Sequence, residues 1–499
     1  MTQAVSKTYR QLNLLLKITV AILGAIIAWH IFWRIKYNDS YFYEVALGGF
    51  EMYVNWGFQR LMQLGRLYED PELPPFGVIQ YSPLYYYFLM PIAKWLDINV
   101  YDPYITMRFL RWAGFVINLI TSLIIYLGCN RWLKATTIFS LYAALVSFCV
   151  LTSHFYARVD SLYLLLFTVG YLVLLKHNQN RQTIFLIMSA ILAVCTLFTK
   201  QMGLLSVGLV VFYTLFYLNW RERIYVVLTL ILSLAVFLWL LLLNEQLPSV
   251  LKNVFMGVNN GLQFDLWIGI FLDPDYRYLF LFLVGLAVLS TLNVILPKFN
   301  FAFSSIAPLL CLGFGLLLGL KHGSSVNYFQ EFYVATLFMM TQWFNQEKPL
   351  MAWPKWKSTT VCLVFIGSIW TSFHVAEWIR EPVKDEKFAK EAYADAVKVH
   401  QFLVKNTNAD YDYYFVKGSK WLCNFSINNT IFPTDYANAS SNFKYEIFWK
   451  MAKTGQLKYV LVASGDNSGF WRNFQLTDYT LIQELGGYKI YCHKKRLFS

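Results

Sequence analysis

Eleven long apolar runs, at residues 14–36, 109–128, 137–156, 161–176, 183–199, 203–219, 223–243, 277–296, 301–320, 325–343 and 358–378, dominate this sequence. A helix crossing ~30 Å of hydrocarbon needs about 20 such residues, and several of these runs are only slightly shorter. Inside a bilayer no water satisfies backbone N–H and C=O groups, so runs of this kind are confined to helices. Hydrophobic residues make up 57% and charged residues 14% of the chain, which excludes an ordinary soluble domain. The expected class is a mainly α, polytopic membrane protein of about eleven transmembrane helices.

The loops orient the spans. Net charge is +13, which alone would suit nucleic acid, but the Lys and Arg residues fall mostly in short connections between apolar runs. Those connections are the N-terminus with Lys7 and Arg10, Asn130 to Lys134, Lys176 to Arg181, Arg221 to Arg223, Lys298, and Lys348 to Lys357. The positive-inside rule puts all of them in the cytoplasm, with residues from about 380 onward outside. The N-terminal run has no small-residue cleavage site and reads as a retained first helix.

The segment Pro83 to Leu96 is apolar but too short to span, so residues 38–107 read as one long external loop. Its Tyr85-Tyr86-Tyr87 run and Trp95 suit a helix lying at the headgroups. A second amphipathic helix is expected over 45–65, where Leu47, Phe50, Val54, Phe58 and Leu61 recur at helical spacing. Glu51, Asn55, Gln59 and Gln63 form a polar stripe beside that face. Residues 244–276 make a second large external loop.

Charges that break the apolar pattern (Glu51, Arg108, Arg158, Asp160, Lys200, Lys321 and Glu331) all fall on the external side of this topology. A charge at the bilayer edge is costly unless paired, so such residues mark function. Each is weak alone, because a single Lys or Arg at a helix end commonly snorkels to the interface. Arg158 and Asp160 also suit a structural ion pair. Their gathering on one side is the signal.

Residues 380–499 read as a small extracytoplasmic α/β domain, apart from the membrane part over 1–379. Val397 to Val404 and Phe443 to Lys453 read as helices, and Tyr413 to Val416, Lys458 to Ala463 and Tyr488 to His493 as strands. Cys423 and Cys492 lie in this domain and could pair if it faces an oxidising compartment. No cysteine or histidine spacing resembles a metal site, so no cofactor is expected, although a divalent metal is compatible.

Five motifs carry a resemblance. They are Glu51 about 16 residues before Leu67-Tyr68, then Tyr81-Ser82-Pro83-Leu84-Tyr85-Tyr86, Arg158-Val159-Asp160, Thr199-Lys200-Gln201, and Asn327-Tyr328-Phe329-Gln330-Glu331. At these residues the chain resembles the C-type superfamily of polyprenyl-phosphate-sugar-dependent membrane glycosyltransferases. That superfamily includes the protein O-mannosyltransferases and the lipid A aminoarabinose transferases, and the bacterial branch grouped as family 39 is the most similar. The resemblance covers most of residues 14–343. Many relatives carry an Asp or an Asp-Glu pair where this chain has Phe50-Glu51. The aminoarabinose transferases have Glu-Lys-Pro-Pro where this chain reads Gln80-Tyr81-Ser82-Pro83.

The resemblance implies transfer of a sugar from a polyprenyl-phosphate-linked donor to an acceptor hydroxyl on a lipid, glycan or protein, at a bacterial inner membrane. Such a reaction needs a base for the acceptor proton and cations for the departing phosphate. Glu51 is the base expected, with Asp39 and Glu44 as fallbacks. Arg158, Lys200 and Arg108 are the expected phosphate clamp, with Asp160 orienting Arg158. Gln201, Tyr81, Asn327, Tyr328 and Glu331 are expected to support the site or meet the sugar. A single base opposite the leaving group implies inversion. The rival readings are a lipid-linked sugar transporter or flippase, expected to show internal repeats and midplane charges, and a glycan polymerase or ligase with its key residues in a later loop.

Overall fold

The computed structural model describes residues 2–42, 50–151, 156–258, 261–262, 264–265, 268–269, 277–295, 302–321, 326–345, 355–408, 411–417, 420–425, 427–431, 442–464 and 474–497. The chain is a multi-pass membrane protein with a small sheet at its C-terminal end. Helix α1 (Thr2–Asn38) is followed by α2 (Phe50–Leu64) and α3 (Leu84–Trp95), the two helices of the first long loop. The bundle continues through α4 (Pro103–Leu127), α5 (Thr137–Leu151), α6 (Asp160–Asn180), α7 (Thr183–Thr199), α8 (Leu204–Tyr217) and α9 (Trp220–Asn244). After α10 (Leu247–Val254) come α11 (Arg277–Ile295), α12 (Phe303–Gly319), α13 (Gln330–Met340) and α14 (Lys355–Lys384).

Two of the expected spans differ from a plain helix. The stretch at 325–343 is a 3₁₀ turn, Val326–Phe329, leading into α13, whose eleven residues are all buried. At about 1.5 Å per residue this helix is too short to cross. Protein surrounds it on every side, and that is where irregular backbone at membrane depth is tolerated. The stretch at 203–219 begins with another 3₁₀ turn, Gln201–Gly203. There a Cβ on Gly203 would stand 2.2 Å from the Leu197 nitrogen, so only glycine lets this turn fold back on α7.

The basic turns meet at one end of the bundle. Thr136 N donates to Phe344 O at 2.7 Å, Lys176 Nζ to Trp132 O at 3.4 Å, and Arg181 Nη1 to Tyr217 O at 3.1 Å. The opposite end carries α2, α3, the turn before α6 and the C-terminal domain.

That domain is built from α15 (Glu386–Asn406), β1 (Tyr413–Lys417), α16 (Lys420–Phe425), β2 (Thr430–Ile431), α17 (Glu446–Thr454), β3 (Leu457–Ala463), β4 (Tyr479–Leu485) and β5 (Tyr488–His493). The sheet order is β2-β1-β3-β5-β4, parallel among β2, β1 and β3 and antiparallel at β3/β5 and β5/β4. Gly486 and Gly487, with φ of +54° and +68°, close the β4–β5 hairpin, a two-residue loop in which both positions need a left-handed backbone. Cys423 and Cys492 are buried in one apolar cluster with no disulfide between them. They serve there as small core residues.

Both faces of this sheet extend into the membrane part. Met52, Tyr53 and Met107 join the cluster that holds Val399, Leu461 and Ile490. Phe76 and Val78 join the cluster on the other face with Phe415, Phe448 and Val460. Tyr393 donates its hydroxyl to Asp102 at 3.0 Å, and the Tyr41 N–H meets the Glu386 carboxylate. The domain thus grips the first loop and fixes the position of α2.

Candidate active site

Asp160, at the first position of α6, is the hub. Its Oδ1 accepts Lys200 Nζ at 2.7 Å and Asn327 Nδ2 at 2.8 Å, while Arg158 Nε lies 3.0 Å from Oδ2. All four side chains are buried. Three chain breaks make this convergence possible. Arg158 sits in the tight turn before α6, Lys200 is the extended residue between α7 and its 3₁₀ turn, and Asn327 belongs to the turn before α13. Lys200 also lies 5.3 Å from the Tyr328 ring and 5.8 Å from the Tyr163 ring. An ammonium has three donors and Asp160 engages one, so Lys200 keeps hydrogen-bonding capacity for an anion.

Around the hub, the Tyr81 phenol meets Arg158, and burial pushes its pKa up. Glu331 is fully buried in the first turn of α13, with the Tyr163 hydroxyl beside its carboxylate. Gln201 faces elsewhere. Its amide donates to Gln80 O and to Val254 O, joining the α7–α8 turn to the first loop and to α10.

Glu51 lies on the other side of the Ala157–Asp160 turn. Its Oε1 accepts the Ala157 N–H at 2.9 Å and Arg111 Nε at 2.5 Å, and its Oε2 accepts Arg111 Nη2 at 2.6 Å. Neither Glu51 nor Arg111 has an exposed side chain. Arg111 also donates to the Tyr37, Ser40 and Phe42 carbonyls, and its guanidinium lies 4.2 Å from the Tyr37 ring. This two-pronged pair ties the end of α1, α2 and α4 to the turn carrying Arg158. Tyr85, on α3, is buried with no partner for its hydroxyl among the described residues, and the charges of both Asp160 and Glu51 add to burial in raising its pKa. Tyr85 therefore lies within electrostatic reach of both carboxylates.

Arg108 is not brought to this cluster. It pairs with Asp39 at 2.7 Å, both about half exposed, and Trp112 Nε1 donates to the same carboxylate at 3.0 Å. One helical turn decides the matter, because Met107, Arg111, Gly114 and Asn118 lie on the buried stripe of α4 and Arg108 lies off it. Glu44 lies outside the described residues. Sequence reading missed Arg111, and it placed Tyr85 in one of the five motifs without giving it a role in the site. The helical spacing of the apolar and small residues on α4 held the signal for the first. The second was absorbed into an interfacial tyrosine run.

An apolar groove of about 220 Å³ opens beside the hub, lined among others by Pro83, Leu84, Tyr87, Phe198, Phe237 and Leu241. Phe198 is two residues from Lys200, and Pro83 two from Tyr81. Glu245, at the end of α9, holds the groove's rim. Its carboxylate accepts the Leu67 and Tyr68 N–H groups and the Tyr87 hydroxyl, at 2.5, 3.0 and 2.8 Å. The second loop clasps the first as well, since Asn253 Oδ1 accepts Ile79 N at 2.7 Å and Lys252 pairs with Asp70 and Glu72.

The fold is shared with ArnT. The structure of ArnT from Cupriavidus metallidurans in the apo state aligns with a TM-score of 0.56 at 10% identity. ArnT from Cupriavidus metallidurans bound to undecaprenyl phosphate aligns with a TM-score of 0.50 at 12% identity. Each alignment covers 95% of this chain and 97% of the other. No family model and no curated protein matches the sequence.

Proposed function

We propose that this protein is a C-type glycosyltransferase, related to the bacterial family 39 branch, that moves a sugar from a polyprenyl-phosphate-linked donor to an acceptor hydroxyl on the outer side of a bacterial inner membrane. The observation that carries this reading is the convergence of Lys200 and Arg158 on Asp160 beside an apolar groove. A prenyl phosphate has that form, an anionic head on an apolar tail. The likeness to ArnT, which binds undecaprenyl phosphate, agrees with it.

In this reading the first isoprene units lie in the groove and the phosphate meets Lys200 and Arg158, with Asp160 and Asn327 keeping both cations in place. Glu51 takes the proton of the acceptor hydroxyl, and Arg111 holds its carboxylate in place for that task. The acceptor oxygen bonds to the anomeric carbon as the bond from that carbon to the phosphate oxygen breaks. The electron pair leaves with the phosphate, and configuration inverts. Tyr85, Tyr81 and Tyr328 surround the space between the carboxylates and suit contact with the sugar.

The test uses purified full-length protein with undecaprenyl-phosphate-linked hexoses and pentoses labelled in the sugar. Release of undecaprenyl phosphate with transfer of label supports the proposal. Glu51→Gln should lower that rate at least ~10²-fold while donor still binds. Failure of every donor to release undecaprenyl phosphate in the presence of cell-envelope acceptors would overturn it.

A further inference from the structure

Lys321 stands apart from the other cations of this end. It follows α12 and is half-buried, and its backbone pairs with Leu262 of the second loop. A Cβ on Gly315 would lie 2.7 Å from Tyr328 O, so α12 rests directly on the turn that carries Asn327 and Tyr328. Lys321 is six residues further on, which at about 1.5 Å per residue puts it ~9 Å along toward the rim of the same site. Asp160 already pairs with Arg158 and Lys200. Among the described residues no carboxylate pairs with Lys321, and burial, reinforced by the charge of Lys200, lowers its pKa to about 8. Two ammonium groups repelling each other in a partly dry site raise the energy of the empty protein, and an anion bound between them reverses that sign.

We propose that Lys321 recognises the second negative charge of a phosphate monoester, the leaving polyprenyl phosphate, and that it contributes little to the phosphodiester donor. This rests on the glycosyltransferase reading above. Arg158, Lys200 and Asp160 carry one net positive charge between them, and the buried Glu331 near Lys200 can only lower it, so the hub suits no more than the single negative charge of a diester. Breaking the sugar–phosphate bond adds a second charge, of which a monoester keeps most at neutral pH. Among the described residues, Lys321 is the cation beside Lys200 that pairs with no carboxylate. It is thus a leaving-group residue whose effect grows as the bond breaks, and interactions of that kind raise the rate.

The experiment measures binding of three probes to the full-length protein in nanodiscs: undecaprenyl phosphate, its methyl phosphodiester, and inorganic phosphate. Wild type should prefer the monoester lipid. Lys321→Met should weaken the monoester about 10- to 100-fold, as for loss of a charge-assisted contact, and the diester about twofold or less. Lys321→Arg should restore most of the monoester affinity, which separates lost charge from a damaged fold. Equal weakening of both lipids, or none, overturns the proposal. Inorganic phosphate binding as tightly as the lipid overturns the lipid headgroup as the ligand. Wild type binding neither lipid overturns the glycosyltransferase reading itself, and this inference with it.

Discussion

Arg111→Met tests how the site is held together. Both members of the Arg111–Glu51 pair have fully buried side chains, and the two N–H···O contacts are 2.5 and 2.6 Å. Removing the guanidinium leaves a buried carboxylate with, among the described residues, only the Ala157 N–H and the more distant Tyr37 hydroxyl, at 2.9 and 3.4 Å. An uncompensated buried charge of this kind costs about 3–5 kcal/mol. Glu51→Met is milder, about 1–3 kcal/mol, because Arg111 keeps the Tyr37, Ser40 and Phe42 carbonyls. The double variant Glu51→Met with Arg111→Met should cost less than the two singles together, by up to ~3 kcal/mol. Titrating SDS into mixed micelles and following unfolding by tryptophan fluorescence measures all three. Glu51→Gln should remain folded, with its amide oxygen still facing Arg111, and yet be inactive. Single costs that add within ~0.5 kcal/mol would refute the claim that the pair couples α2 to α4.

Three further outcomes follow from the same geometry. Lys200→Met should lower transfer by about 10²–10³-fold, as for loss of one preorganised donor to developing charge, and Arg158→Lys should restore little if its contact is two-pronged; steady-state rates with a labelled donor check both. Leu84→Trp should narrow the groove and weaken undecaprenyl phosphate about tenfold while leaving a short-chain prenyl phosphate nearly unaffected, since overpacking costs about 1–3 kcal/mol where the longer tail must fit. Lys321 is charged below its pKa of about 8 and neutral above it, so affinity for undecaprenyl phosphate should fall as pH rises from 7 to 9; Lys321→Arg, charged throughout, should flatten that profile, and binding isotherms at several pH values measure it.

How legible these features were depended on the kind of constraint each residue obeys. Lipid imposes one solution on a long apolar run, so the helices of the bundle were readable as runs. Asp160 and Lys200 stood out because each interrupts the pattern at a helix end, and the structure joins them at 2.7 Å. Arg108 and Arg111 share one helix, and the choice between them depends on which stripe faces inward. That stripe was written in Met107, Gly114 and Asn118, at helical spacing from Arg111. The strands at Tyr413–Lys417 and Leu457–Ala463 showed as short β-rich runs. Strand β4 did not, because it is an edge strand whose residues after Tyr479 are mostly exposed, so no apolar alternation marks it. Gly486-Gly487 held a hairpin signal for it that the sequence reading did not use. The short buried α13 was read as a span because an apolar run surrounded by protein has the same composition as one surrounded by lipid.

In the proposed mechanism the Asp160 cluster holds the phosphate of a lipid-linked sugar. A cryo-EM map of the protein with undecaprenyl phosphate tests it most directly. The phosphate should appear at hydrogen-bond distance, ~3 Å, from Lys200 and Arg158, with the prenyl chain leaving through the groove between Leu84 and Phe237. A phosphate seated elsewhere, or a chain leaving by another face of the bundle, would contradict it.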